Sequence, residues 1–388
     1  MGLDLIHGVD WKMNSANARR YRASADVRFV RIGDYIDPIV EAIATHDMIV
    51  ERRGGIHHIL SPFGNATFEV CQGGFKLTVE ATDPRGINHL KHALAGPIGF
   101  IAARERLEIQ WEGDVTESAL PDDLRILRVT SIEDLSPRFR RIAFKGENLE
   151  RYDRADQLHC RLIFQPRGIA EPLWPMLDHR GCIVWPENTA VPTRVYTIRR
   201  IDVARKEIVI DFALHANAGP ATRWAMDART GDVVGILGPA ANGSKPAKFQ
   251  VLAGDETALP GIARILESLP RDAVGHAFIE LDSKADELPL TCPAGVMVHW
   301  LHRDGAAAGT TTLLPDAVRS IRWPENLDDV FFWGGCEHTA FSAIYRHLRN
   351  GVALPRDSFV LYSHWHRSLS EEQIIARGAE AYLPHQSQ

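Results

Sequence analysis

From Phe249 to Trp365 short apolar runs alternate with amphipathic helical stretches, and few architectures accept that order. FQVLAG, HAFIEL, VMVHWL, DVFFWGG and FVLYSHW read as strands, while ALPGIARILESL, TTLLPDAVRSI and TAFSAIYRHLRN read as helices. Helices between strands leave no room for hairpins, so the strands must run parallel with helices packed on the sheet faces. An α/β domain is therefore expected over residues 247–388.

The stretch before it has a different rhythm. LRILRVTSIEDL, RRIAFKG, HCRLIFQP, GCIVWP, TRVYTIRRID, EIVIDFALHA and DVVGILGP are seven closely spaced strand-like runs with turn signals between them. That pattern suits an antiparallel β-barrel or sandwich over residues 117–246, with one helical insertion at GPATRWAMDAR. Residues 1–116 mix the two patterns. A helix is expected over 35–48, then short strands broken at Gly54-Gly55, Gly64-Asn65 and Gly73-Gly74, a helix from Asp83-Pro84 to about His92, and a closing strand ERLEIQW. This is an α+β domain of unassigned role, and the acidic, proline-containing stretch Glu112–Asp123 reads as the linker after it.

Composition excludes several classes. The chain has 388 residues, 45% hydrophobic and 24% charged, with a net charge of −6. A dedicated nucleic-acid binder would be basic overall, so none is expected. No stretch approaches the ~20 apolar residues of a spanning helix, and the start has no basic-then-apolar leader, so neither membrane insertion nor secretion is expected. Gly2 invites myristoylation, but Ile6 stands where that motif needs Ser or Thr. Five scattered cysteines without a CxxC pair fit a reducing, cytoplasmic compartment and no cysteine-built metal site.

Three segments carry chemistry. In Arg194-Val195-Tyr196-Thr197-Ile198-Arg199 an aromatic, a hydroxyl and two guanidiniums sit close together, which are the groups that a phosphate-bearing ring cofactor needs. Strand alternation sends Arg194, Tyr196 and Ile198 to one face and Val195, Thr197 and Arg199 to the other, so their convergence requires a twist or bulge. Alone, the segment reads as a plain barrel strand. Further on, Ala218-Gly219-Pro220-Ala221-Thr222 precedes a helix, where free backbone N–H groups and a Thr hydroxyl form an anion site. Third, Leu252–Pro260 takes a strand through a turn into a helix near Thr257, the place where a parallel sheet holds a nucleotide. No GxGxxG occurs there.

Taken in order, RVYTIR, AGPATRWA, GILGP, LAGDETALPGIARIL, FFWGGCEHTAFSAIYRHLR and SHWHRSLSEEQ resemble the siderophore-interacting protein family, ferredoxin-reductase-like flavoproteins, over roughly residues 121–376. The resemblance implies an FAD-binding barrel followed by an NAD(P)H-binding domain, reducing ferric siderophores in the cytoplasm. It implies that Arg194 binds an FAD phosphate, that Tyr196 lies against the isoalloxazine with Ile198 beside it, and that Thr197 bonds near the reactive nitrogens. His215 and Gly219, Pro220, Ala221 and Thr222 would hold the ribityl and pyrophosphate part, and Thr257 and Ala258 would face the nicotinamide nucleotide. Arg199, Arg200 and Arg223 are the basic groups expected to attract an anionic ferric siderophore. Ferredoxin is a second candidate electron donor. Two other readings stay open: a non-catalytic FAD-containing siderophore-binding or redox-sensing protein, and a general NAD(P)H:flavin or quinone reductase. One departure stands out. The family commonly has Gly-Tyr-Trp-Arg where this chain has Ser363-His364-Trp365-His366-Arg367. Trp365 keeps the aromatic, and a packed C-terminal side chain is its simplest reading.

The N-terminal region, with Phe100-Ile101-Ala102-Ala103-Arg104-Glu105 followed by Leu107 and Trp111, resembles a small uncharacterised bacterial domain family. His46, His89 and His92 lie at its polar positions, but no metal site is expected from them. His57 and His58 are adjacent on a strand and so face opposite ways. Gly238–Lys245 nearly spells a P-loop, but its last pair is reversed and Pro246 follows where a helix should continue.

Overall fold

The computed structural model describes residues 19–44, 48–167, 171–186, 189–215, 219–369 and 371–383. The chain forms two compact units. The first comprises Met1–Asp122, Pro175–Asn188 and Arg377–Ala379, and the second comprises Asp123–Trp174, Thr189–Ala376 and Glu380–Gln388.

The first unit contains β1 (Tyr21–Arg28), α1 (Ile32–Ala44), β2 (Ile49–Arg53), β3 (Ile56–Ser61), β4 (Gly64–Cys71), β5 (Gly74–Ala81), α2 (Pro84–Ile101) and β6 (Glu112–Gly113). The strands form one antiparallel sheet in the order β2-β3-β4-β5-β1-β6. Alternate residues of β5 (Phe75, Leu77, Val79, Ala81) are buried under Ile39 and Ile43 of α1 and Ile87, Leu90 and Leu94 of α2. The helix α2 starts where the sequence says, with Pro84 in its first turn and the Asp83 side chain accepting from Arg85 N. The expected strand ERLEIQW is not one. Its apolar residues Leu107, Ile109 and Trp111 do pack on this core, but only Glu112 and Gly113 find a ladder partner, on β1. The alternation was that of a half-buried segment, and without a neighbour to bond it is not a strand.

A hairpin, β10 (Met176–Leu177) and β11 (Ile183–Val184), also belongs to the first unit although it comes from later in the chain. Leu177 is buried and exchanges both backbone bonds with Ala119 (3.0 and 2.7 Å). Lys91 of α2 is 1% exposed and donates to the carbonyls of His179 (2.9 Å) and Asp114 (3.3 Å). Burial lowers the pKa of its amine. His92 Nδ1 donates to Gly181 O at 2.9 Å. Gly181 has φ +79°, and a Cβ there would meet His92 N at 2.5 Å, so glycine is required on both counts. Within Glu112–Asp123, Asp114 accepts from Arg22 N and the Glu117 carbonyl accepts from Asn88 Nδ2, which ties this stretch to the first unit.

The second unit opens with β7 (Arg125–Ser136), β8 (Phe139–Gly146), β9 (Gln157–Phe164), β12 (Thr193–Thr197), β13 (Arg200–Asp202), β14 (Glu207–Ala213), α3 (Pro220–Asp227) and β15 (Val233–Asn242). The seven strands pair antiparallel in the order β12-β9-β15-β7-β8-β14-β13. The two edge strands, β12 and β13, are separated in the chain by Ile198 and Arg199 alone, and Arg199 N bonds Val209 O. That link curls the sheet into a barrel around Leu127, Phe144, Leu162, Phe164, Ile210 and Phe212. The expected seven strands are thus seven, but with different members. TRVYTIRRID splits into two, and GCIVWP supplies β11 of the hairpin instead.

The α/β half follows: β16 (Phe249–Gly254), α4 (Leu259–Ser268), β17 (Val274–Leu281), β18 (Gly295–His302), α5 (Leu313–Arg319), β19 (Val330–Glu337), α6 (His338–Arg346), β20 (Phe359–Trp365) and α7 (Glu371–Arg377). Its five strands are parallel in the order β18-β17-β16-β19-β20. Strand order reverses between β16 and β19, which places a switch-point crevice beyond the carboxyl ends of those strands. Every residue of β19 is buried, as expected of a strand covered on both faces. The helix α4 lies close on β16 because Gly254 has no side chain; a Cβ there would sit 2.3 Å from the Ala258 methyl.

Candidate functional site

Beyond the carboxyl end of β16 a cavity of about 460 Å³ opens between the barrel and the α/β half. The barrel wall is Arg194, Val195, Tyr196 and Thr197 of β12, His159 and Arg161 of β9, and Asp211 and Ala213 of β14. His215, Gly219, Ala221 and Thr222 line it at the start of α3. The α/β half contributes Glu256, Thr257 and Pro260 before and within α4, and Tyr362, Ser363 and His364 of β20.

Four consecutive residues of β12 reach one cavity, although alternation alone forbids it. The register with β9 is regular from Thr193↔Ile163 to Thr197↔His159, so no bulge is involved. What allows it is that β12 is the sheet edge: the cavity wraps around it and touches both faces. The Tyr196 ring packs on Phe212 with centroids 4.5 Å apart, and burial raises the pKa of its phenol.

The α/β wall is fixed by Asp255, which is 5% exposed. Its Oδ1 accepts from Thr257 N (2.9 Å) and Thr257 Oγ1 (2.6 Å), and its Oδ2 accepts from Glu337 N (3.0 Å) and Trp365 Nε1 (2.9 Å). Thr257 Oγ1 also meets His364 Nδ1 at 3.0 Å. Since the Thr257 hydroxyl proton goes to the nearer carboxylate, the hydroxyl oxygen accepts from His364 Nδ1–H. The His364 ring fits because position 335 is glycine; a Cβ there would come within 2.3 Å of Cε1. His364 lies 5.3 Å from the His159 ring, and burial depresses both, His159 to about 3 and His364 to about 4. Both imidazoles are therefore neutral at physiological pH.

Not every residue singled out in the sequence faces this cavity. Arg194, Tyr196, Thr197, His215, Gly219, Ala221, Thr222 and Thr257 do. Ile198 is fully buried in the barrel core, and Ala258 is buried against Gly254. Pro220 begins α3 but does not line the cavity. Arg199 bonds Glu267 (2.5 and 2.8 Å) and approaches Asp211 (3.8 Å), lining a second cavity of about 310 Å³ that shares Asp211 and Pro260 with the first. Arg200 is exposed beside Glu207, and Arg223 is exposed on α3. His46 and Ala218 lie outside the described residues. His89 stacks on Phe63, and no group of three or more metal-ligating side chains occurs among the described residues. His159, Arg161, Asp211, Glu256 and His364 are among the lining residues that the sequence does not single out as site residues. Of these only His364 carried a signal, as the departure in Ser363–Arg367.

Comparison with known proteins agrees with this geometry. Residues 128–243 match the siderophore-interacting FAD-binding domain, and residues 247–368 match the siderophore-interacting protein domain that follows it. A crystal structure of a siderophore utilization protein from T. fusca is 35% identical, covering 65% of this chain and 97% of that one, with a TM-score of 0.58. The chain belongs to the siderophore-interacting protein family. Ferric vibriobactin reductase ViuB of Vibrio cholerae is 28% identical over 64% of this chain and 91% of its own length. The NADPH-dependent ferric-chelate reductase of Escherichia coli is 33% identical over 55% of this chain and 82% of its own. Residues 24–112 match a family described as an uncharacterized protein conserved in bacteria. This siderophore-interacting protein is a flavin-dependent oxidoreductase with an FAD-binding domain.

The residues present fit FAD. The cavity lies within the roughly 300–1,000 Å³ usual for cofactor pockets. It offers Arg161 and Arg194 for phosphate, the Tyr196 ring as an apolar plate, the Thr197 hydroxyl, and the first-turn amides of α3 at Ala221 and Thr222, which helix geometry leaves without a partner inside the helix. No described helix is long and apolar enough to cross a membrane.

Proposed function

We propose that this chain is an NAD(P)H-dependent ferric-siderophore reductase that frees iron from its chelate in the cytoplasm. The observation that carries this reading is the single cavity joining the β12 edge to the start of α4, in a member of this family. FAD, when bound, accepts a hydride and passes electrons singly to ferric iron. The chain's own residues position and shield. Arg194 holds a phosphate by its guanidinium fork, Tyr196 and Val195 flank the ring, and Thr197 bonds at its reactive edge. His215 and the amides at Gly219–Thr222 hold the ribityl and pyrophosphate part, and Thr257 faces the nicotinamide side. His159 and His364, both neutral, add no charge of their own to the cavity wall. Arg200 and Arg223, both exposed, draw an anionic ferric siderophore toward the cavity mouth. All five cysteines are unpaired, which supports a reducing compartment.

The test is anaerobic. The purified protein should be yellow, and NADH or NADPH should bleach it. Adding a ferric siderophore should restore the colour while a ferrous chelator traps the iron. A colourless protein that takes up no FAD would sink the flavin reading. Bleaching by reduced ferredoxin but by neither nucleotide would move the donor. Bleaching by none of the three would leave a flavin-containing sensor. Faster reoxidation by quinones than by ferric chelates would make it a general reductase.

A further inference from the structure

The carboxyl end of β17, the second strand of a sheet that reverses beside its first, is where folds of this order place an acid against the adenosine ribose of a dinucleotide. Here that position is crowded with carboxylates. Arg303, at the end of β18, is 7% exposed and is held on three sides by them. It pairs with Glu256, which lines the cavity, and reaches Glu280 at 3.4 Å and Asp282 at 3.9 Å. A fourth bond goes from its Nε to the Ala306 carbonyl. Asp282 is itself taken by Arg138, which donates to Oδ2 at 2.7 and 3.1 Å. Asp286, buried one turn on, accepts from Ser136 (3.2 Å) and Ser283 (3.1 Å). Two guanidiniums thus face three carboxylates, Glu256, Glu280 and Asp282, and the fork of each guanidinium is already engaged.

We infer that this cluster selects the coenzyme, accepting a ribose with free 2′- and 3′-hydroxyls at Asp282 and rejecting one that carries a 2′-phosphate. The inference rests on the NAD(P)H reading above and narrows it to NADH. A 2′-phosphate is a dianion at neutral pH, and it needs cations with free N–H groups. Arg303 would have to leave its carboxylates to supply them, stranding buried negative charge, and Arg138 already spends its Nε and Nη2 on Asp282. A ribose diol needs only acceptors, which Asp282 offers with the lone pairs that Arg138 leaves unused. Burial raises the pKa of Glu256 and Glu280. Lys284, exposed on the turn after β17, is the cation placed to oppose the cluster.

Equilibrium binding to the FAD-loaded, full-length protein tests this without turnover. NAD+ and NADP+ are titrated by calorimetry at low and moderate salt. NAD+ should bind at least tenfold tighter, with the gap narrowing as salt rises. Asp282→Ser removes a partly exposed carboxylate and frees Arg138, so it should shrink the ratio at least fivefold, chiefly by tightening NADP+. Lys284→Ala removes the opposing cation and should raise the ratio, by weakening NADP+ alone. NADP+ binding as tightly as NAD+, or an Asp282→Ser ratio equal to wild type, would overturn the inference while leaving the reductase reading intact. If neither nucleotide binds, the nicotinamide donor fails and the inference falls with it.

Discussion

Replacing Asp255 by asparagine tests whether one carboxylate organises the α/β wall of the cavity. The change keeps the side chain's shape and turns one of its two acceptors into a donor. Thr257 N and Oγ1 share Oδ1, while Glu337 N and Trp365 Nε1 share Oδ2, so either orientation of the amide leaves two donors facing an NH2 group. A buried donor left without a partner costs about 1–3 kcal/mol, so two cost roughly 2–6 kcal/mol. The Thr257 hydroxyl can rotate and Trp365 is only half-buried, which relieves part of this and points to about 3 kcal/mol. For a unit of this size each kcal/mol moves Tm by about 2–4 °C, so a fall of roughly 6–12 °C is expected. Thermal melts followed by tryptophan fluorescence read it directly, since Trp333 and Trp365 both lie in this half. Thr257→Val calibrates the scale: it deletes one of the four bonds to Asp255 together with the bond from His364 Nδ1 and should cost about 2 kcal/mol. An Asp255→Asn melt displaced no further than that of Thr257→Val would refute the argument.

Arg194→Ala should weaken FAD binding by about 10- to 100-fold, the worth of a charge-assisted phosphate contact, as read by flavin fluorescence titration of the apoprotein. An unchanged affinity would remove Arg194 from the phosphate site. His159 and His364, depressed to about 3 and 4, refuse protons that the unfolded chain accepts near pH 6.5. Their contribution is therefore complete above pH 6.5 and is lost as pH falls toward the folded values, by about 1.4 kcal/mol per pH unit for each. Tm measured from pH 7 to pH 5 should fall less steeply in His159→Gln than in wild type; parallel slopes would count against it. Gly181→Val, which puts a Cβ 2.5 Å from His92 N, should open the hairpin and speed tryptic cleavage at Arg180 severalfold while leaving the FAD-site residues in place.

The α/β half was legible because both of its signals, apolar runs for buried parallel strands and amphipathic spacing for α4 and α6, are local. The barrel was legible in kind but not in membership. Ile183 and Val184 look like any barrel strand, and only Leu177, Ala119 and Lys91, all distant in sequence, make them part of a hairpin elsewhere. The segment Arg194–Thr197 is legible by residue type, yet strand alternation divides it. Its convergence depends on β12 being an edge, which is a property of the whole sheet. Ala258 was placed toward a ligand by its position at a helix start, but the close approach at Gly254 turns its methyl inward. Asp255 and Glu256 gave no sign of their roles, since their partners at Glu337, Trp365 and Arg303 lie between 47 and 110 residues away.

The hairpin also sets an order of events during synthesis. The first unit leaves the ribosome first, yet it takes its last pieces from residues 175–188 and 377–379. Between Asp122 and Asn188 the ribosome adds sixty-six residues, which takes roughly 3–13 s at ordinary rates. Through that interval Lys91 lacks the His179 carbonyl and Ala119 lacks its bond to Leu177. The N-terminal unit therefore waits, incomplete, while β7, β8 and β9 emerge. A gene cut after residue 122 would release it permanently in that unfinished form.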